Sequence, residues 1–215
     1  MTAGVASAFT PLLALSGALV SILLVFGLAR GEGPWSTTRL LLTGVVTASG
    51  WAALISLVLS LGNDSSLRGM LFWLMGDLGY ATTPSWALLV LALVFLICLG
   101  LARSLNVLAM GETTARLLGE PTQRLLWLIY LLASVLTASA VSIAGNIGFV
   151  GLIVPHLTRL MLGSDHRMLL PAATLFGGIF LVISDTLART VIAPEQLPVG
   201  VITALLGVPL FLLLL

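Results

Sequence analysis

LLWLIYLLASVLTASAVSIAGNIGFVGLIVPHLT, residues Leu125 to Thr158, runs for 34 residues without a charge. As one helix it would rise about 50 Å, well beyond the ~30 Å hydrocarbon core of a bilayer. The run therefore has to cross twice and turn within itself, and Gly145-Asn146-Ile147-Gly148 is its natural break. That predicts a full span over 125–144 and a short one over 147–162. Short, glycine-interrupted helices either let backbones pack closely or border a substrate or ion site. Both readings stay open here, and the residues concerned are Gly145, Asn146, Gly148, Gly151 and Pro155.

Working outward, the same arithmetic applies to the rest of the 215 residues, of which 59% are hydrophobic and 8% charged. The mean hydropathy is +1.19. An ordinary soluble domain is roughly a quarter charged, so a free soluble globule is excluded. Gaps between charges mark further spans at 9–29, 40–61, 84–102, 169–187 and 198–215, which makes seven in an all-α polytopic membrane protein forming one transmembrane domain. Residues 67–78 are only half apolar and read as interfacial. The first boundary loop holds Arg30, Gly31, Glu32, Gly33 and Pro34.

The densest charge lies in 103–124, with Arg103, Glu112, Arg116, Glu120 and Arg124 set among Leu105, Leu108, Leu117 and Leu118. That mixture predicts short amphipathic helices, with a start at Gly111-Glu112-Thr113 and a stop at Gly119 before Pro121. Connectors between helices are usually two to eight residues. A loop this long with an apolar face is expected to dock a partner.

Arginines sort by side. Arg30 and Arg39, then Arg103, Arg116 and Arg124, then Arg159 and Arg167 fall on alternate loops, and only Arg68 and Arg189 on the others. Positive charge is kept on the cytoplasmic side in short loops, so the N-terminus is expected outside and the C-terminus in the cytoplasm. Nine Arg, no Lys and a net charge of +1 leave no surface fit to neutralise a nucleic-acid backbone. Cys98, alone in an apolar run, reads as packing.

Chemistry-bearing residues are few. His156 has no second ligand at helical spacing, and His166 sits in what reads as a solvated turn, where Asp165-His166-Arg167 makes a helix cap; neither is given a metal. Asp185 and Arg189 stand four apart, acid first, the favourable order for an ion pair. A carboxylate in a span is a relay candidate, but the paired neighbour explains it more simply. With so few coupling carboxylates, ion-driven transport is disfavoured. No phosphate-cradling loop and no nucleophile-base set is present, so the chain is expected to be no enzyme and to hydrolyse no ATP.

Several strings then align, in order, with one family: TRLLLTGV (38–45), FWLMGDL (72–78), LNVLAMGETTARLLG (105–119), GNIGFVGLIVPHLTRLMLGSDHRMLLP (145–171) and SDTLARTVIAPEQLPVGVITALLGVP (184–209). The chain resembles the FecCD-type permease subunits of ABC importers for ferric siderophores, haem and vitamin B12, over the last seven of about ten spans. The resemblance implies a homodimer in the inner membrane, with a cytoplasmic ATPase that carries ATP and Mg, a periplasmic or lipid-anchored binding protein, and no cofactor on this chain. It places Gly111, Glu112, Ala115, Arg116, Leu118 and Gly119 in coupling helices seated in the ATPase, Thr37 and Thr38 at the cytoplasmic mouth of the pathway, and Arg189 against the binding protein. Ferric siderophore is the first expected cargo. Both ends look cut: Met1 lacks a signal-peptide pattern and Leu215 falls inside a helix, so an N-terminally truncated permease is expected. The alternatives are a free-standing seven-span carrier or receptor, and a permease remnant without function.

Overall fold

The computed structural model describes residues 2–29, 37–62, 64–79 and 85–214, with side chains from Leu13 onward except at positions 37, 64–66 and 68. Arg30, Gly31, Glu32, Gly33, Pro34, Pro84 and Leu215, on which some boundaries above rest, lie outside the described residues. Those described form α1 (Thr2–Ala29), α2 (Thr37–Leu61), α3 (Asp64–Met75), α4 (Ser85–Gly100), α5 (Ala102–Ala109), α6 (Glu112–Leu117), α7 (Thr122–Ala144), α8 (Val150–Leu162), α9 (His166–Thr190) and α10 (Val199–Leu214). All are helices. Two compact units divide the chain, residues 1–71 and 72–215.

In the first unit α1 packs on α2, pinned where the Trp51 indole N–H donates to Ser21 Oγ at 3.0 Å. Leu41, Leu42, Val45 and Val46 are exposed along α2. In the second unit α8 and α10 pack on α9, α4 lies against α7 and α9, and α5 and α6 fold back onto α9 and α7. Here too the outer faces are apolar: α4 buries Val94 and exposes Leu88, Leu89 and Leu96. A helix apolar all round, with leucines turned outward, belongs in lipid or under further protein rather than in water.

Among the described residues, three helices, Thr38–Leu61, Thr122–Ala144 and His166–Thr190, are long and apolar enough to cross a membrane, and the α4–α5 pair, bent by 62°, makes up to four. α8 and α10 are apolar but shorter, and the part of α1 described with side chains, Leu13–Ala29, is apolar as well. Hydroxyls on these helices bond to the preceding turn, Ser139 to the carbonyl of Val135 at 2.7 Å and Thr158 to that of Val154 at 2.7 Å, whereas the buried Ser184 Oγ of α9 has no hydrogen-bond partner. A hydroxyl bonded to the preceding turn adds no unsatisfied polar group to the apolar medium.

Helix ends depart from the apolar runs in a consistent way. Where 84–102 is expected as one span, α4 stops at Gly100 and the chain bends at Leu101. The short span begins at Val150 rather than 147, because residues 145–149 are not helical, and α9 extends from His166 to Thr190 rather than 169–187. Hydropathy marks what lipid can hold; caps decide where helices stop. Asp165 is such a cap, its carboxylate accepting the Arg167 backbone N–H at 3.0 Å.

Three backbone segments meet beside the 145–149 turn. The Asp77 N–H donates to the Ala144 carbonyl at 2.9 Å and the Gly200 N–H to the Gly76 carbonyl at 3.4 Å. Gly145 has φ 70, and a Cβ there would run into the Trp73 carbonyl oxygen; one at Gly200 would run into that of Met75. The backbones touch because neither residue has a side chain. Phe149, at φ 67, holds the left-handed conformation at a cost of roughly 1–2 kcal/mol. Its Cβ would lie 2.6 Å from one added at Gly207 on α10, so the strained turn is wedged against a helix with no side chain at that point.

Candidate functional site

The charged loop folds into a hairpin of two short helices. α5 turns away from α4 at Leu101, Gly111 reverses the chain at φ 107, α6 follows, and Gly119 at φ 83 releases it toward α7. Six residues are too few to hold a helix alone, and α6 is held from both ends. The Ala115 N–H donates to the Gly111 carbonyl at 3.0 Å, and the Ala115 carbonyl accepts the Glu120 N–H at 3.0 Å. Arg116 Nε donates to Thr122 Oγ1 at 3.0 Å, and its guanidinium pairs with Glu112. Ser104 on α5 donates to Glu120 Oε1 at 3.1 Å. The acid in the first turn and the base in the last also suit the dipole of α6.

This geometry corrects one expected docking contact. Ala115 is 0% exposed and faces inward, so it anchors α6 and cannot itself touch a partner. Leu117, two positions on and on the opposite side of the helix, is 85% exposed, with Leu118 and Met110 also outward. Gly111, Glu112, Arg116, Leu118 and Gly119 lie on the same exposed rim. Leu117, one of the four leucines of the loop's expected apolar face, was not among the residues that the resemblance placed against the ATPase, and it is the helix rotation that turns it outward.

At the foot of α9 a second polar cluster joins the hairpin to the α8–α9 turn. Asn106 of α5 donates through Nδ2 to Asp165 Oδ1 at 2.7 Å, and its own Oδ1 accepts the His166 backbone N–H at 2.8 Å and lies 2.7 Å from His166 Nδ1. Hydrogen bonds from the Arg167 N–H and the Asn106 amide hold the Asp165 carboxyl below the usual carboxylate range. His166 is therefore half-buried and bonded, not a member of a solvated turn. His156 lies within α8, also half-buried.

At the other end of α9, Arg189 Nε donates to Asp185 Oδ2 at 2.8 Å. Asp77, whose Oδ1 accepts the Gly79 N–H at 2.7 Å, adds to the negative field at Arg189. Both partners of the pair remain accessible, at 41% and 27% of side-chain surface for Arg189 and Asp185.

A groove of about 620 Å³ opens beside the 145–149 turn, lined by Leu74, Met75, Asn146, Phe149, Val201 and Ala204 among others. Asn146 is exposed there and is the polar side chain of an otherwise apolar wall. Of the residues expected to pack the short helix, Gly145 makes the close approach, whereas a Cβ on Gly148 or Gly151 would meet nothing within 4 Å. Close packing falls instead on Gly200 and Gly207 of α10. Pro155 sits inside α8. Thr37 opens α2 with its side chain outside the described residues, and Thr38 beside it is exposed.

The profile of the FecCD transport family matches residues 1–215, the whole chain. The chain belongs to the FecCD transport family. Its similarity to members is even. It is 42% identical over 212 residues to the uncharacterized ABC transporter permease protein YvrB of Bacillus subtilis, covering 95% of this chain and 59% of that protein. It is 45% identical to the cobalamin import system permease protein BtuC of Halobacterium salinarum (94% and 54%) and 42% identical to the hemin transport system permease protein HmuU of Yersinia pestis (93% and 60%). A solved structure described as an inward-facing conformation of an ABC transporter assigned to the metal-chelate type superposes with a TM-score of 0.77 at 35% identity, over 90% of this chain and 62% of that one. The chain thus spans a little over half the length of these relatives. The all-helical architecture, with apolar side chains turned outward, agrees with that membership.

Proposed function

We propose that the chain is a permease subunit of an ATP-driven importer for a metal chelate in the inner membrane. The observation that carries this reading is the α5–α6 hairpin: within a FecCD family chain, a solvated helix pair locked by internal bonds turns Met110, Leu117 and Leu118 outward. Exposed apolar side chains on a rigid, charged rim are what a cytoplasmic partner seats upon. In this reading an ABC ATPase, which holds ATP and Mg, grips the hairpin, and seven helices cross with the N-terminus outside and the C-terminus in the cytoplasm. A second permease copy encloses the pathway, Thr37 and Thr38 line its cytoplasmic mouth, and lipid covers the rest. Cobalamin and hemin are the cargoes named for two relatives, and ferric siderophore is the third chelate class considered.

The direct test is to tag the chain at its native locus, solubilise gently and identify the co-purifying proteins. An ABC ATPase recovered in a stable ratio supports the importer, and its absence under conditions that retain other membrane complexes sinks it.

Arg189 is proposed as the docking point for a periplasmic or lipid-anchored binding protein. Reversing its charge puts a third carboxylate beside Asp185 and Asp77, so Arg189→Glu is expected to weaken the binding protein's affinity about tenfold and to flatten its salt dependence. ATPase association should not change. Equal affinity for both forms, measured in lipid nanodiscs by surface plasmon resonance, removes Arg189 from that interface.

A further inference from the structure

The hairpin is fastened to α9 more firmly than packing alone requires. Asn106 Oδ1 receives two donors from His166, the backbone N–H and Nδ1, while Asn106 Nδ2 reaches Asp165 Oδ1. Two donors on one side and a carboxylate on the other leave the amide a single orientation and put the ring proton on Nδ1. The Asp165 oxygen that grips Asn106 is also the one that caps α9 through the Arg167 N–H. The start of α9 and the grip on α5 are thus one hydrogen-bonded unit. From it α9 runs for 25 residues, about 37 Å, to Thr190, one residue past Arg189. α5 is bounded by the 62° bend at one end and Gly111 at the other.

We propose that Asn106, Asp165 and His166 are positioning residues that lock the α5–α6 hairpin to the foot of α9, so that a displacement imposed on the hairpin carries α9 with it. The source of that displacement, a docked ATPase, rests on the function proposed above; the lock does not. Because the bonds are complementary, residue identity matters. Asn106→Asp faces a carboxylate with a carboxylate at hydrogen-bond distance and leaves nothing to donate across the junction.

The experiment places spin labels at Thr113→Cys on α6 and Met168→Cys on α9, both exposed, in a Cys98→Ala background of the full-length chain in lipid nanodiscs. The parent is expected to give one narrow distance and N106D a distribution about twofold broader. N106A, which removes the grip without adding charge, guards against a folding artefact and is expected to broaden similarly. An N106D or N106A distribution as narrow as the parent's overturns the lock. With the ATPase bound and trapped by ATP and vanadate, the 113–168 distance should stay constant in the parent and shift in N106D; a shift in the parent overturns concerted movement. If no ATPase associates, the importer reading fails and the first comparison alone judges the lock.

Discussion

Gly200→Ala is expected to undo the junction of the second unit. The added methyl meets the Met75 carbonyl oxygen and lies 3.1 Å from that of Asn146, and backbone cannot rotate aside as a side chain can. Overpacking usually costs 1–3 kcal/mol, and a clash with two backbones belongs at or above the top of that range. At about 3 kcal/mol the midpoint of thermal unfolding in detergent falls by roughly 6–12 °C for a chain of this size. Gly178→Ala is the control. It lies inside α9 with nothing within 4 Å of the new methyl, so the helix propensity of alanine should leave stability unchanged or raised by up to about 1 kcal/mol. Equal midpoints for the two variants would show that α10 does not meet the 73–76 backbone as described.

The second large effect is on docking. Leu117→Arg leaves the fold alone, because the side chain is 85% exposed and surface substitutions of this kind stay within about 0.5 kcal/mol. In the proposed complex it removes a buried leucine worth about 1.5–3 kcal/mol and asks a guanidinium to desolvate in its place. ATPase association should fall at least 10- to 100-fold, and uptake with it, while the amount of chain inserted in the membrane is unchanged. Ala115 behaves in the opposite way. A bulky residue there should unfold α6 before it reaches any partner, since the site is closed inside the hairpin. If L117R retains full ATPase recovery on affinity beads, the outward face of α6 is not the docking surface.

Several features were legible without coordinates because they depend on near neighbours alone. The uncharged run from Leu125 to Thr158 had to break, and the break falls at Gly145, where α7 ends. Asp165 reads as a cap and caps α9; Asp185 and Arg189, one turn apart, form their pair at 2.8 Å. Each rests on a spacing of four residues or fewer, or on a length compared with a bilayer. Their geometry is set by the helix itself.

Other features needed the folded chain. Asn106 and Asp165 are separated by 59 positions, and no local pattern singles out one asparagine among the leucines of α5. Gly145 was conspicuous in its glycine-rich turn, but Gly200 was not, because its reason lies in the carbonyl of Met75 far back in the chain. The outward side of α6 was likewise undetermined: in six residues the apolar pattern is too short to fix a rotation, and burying Ala115 rather than Leu117 is decided by the bonds to Gly111, Glu120 and Thr122. Composition and charge spacing alone determine that this chain is helical, lives in lipid and carries one substantial charged loop, because transfer to a bilayer acts on every residue additively. Which backbones touch, and which face of the loop is offered to a partner, only tertiary packing decides, because those depend on pairs of residues that meet after folding.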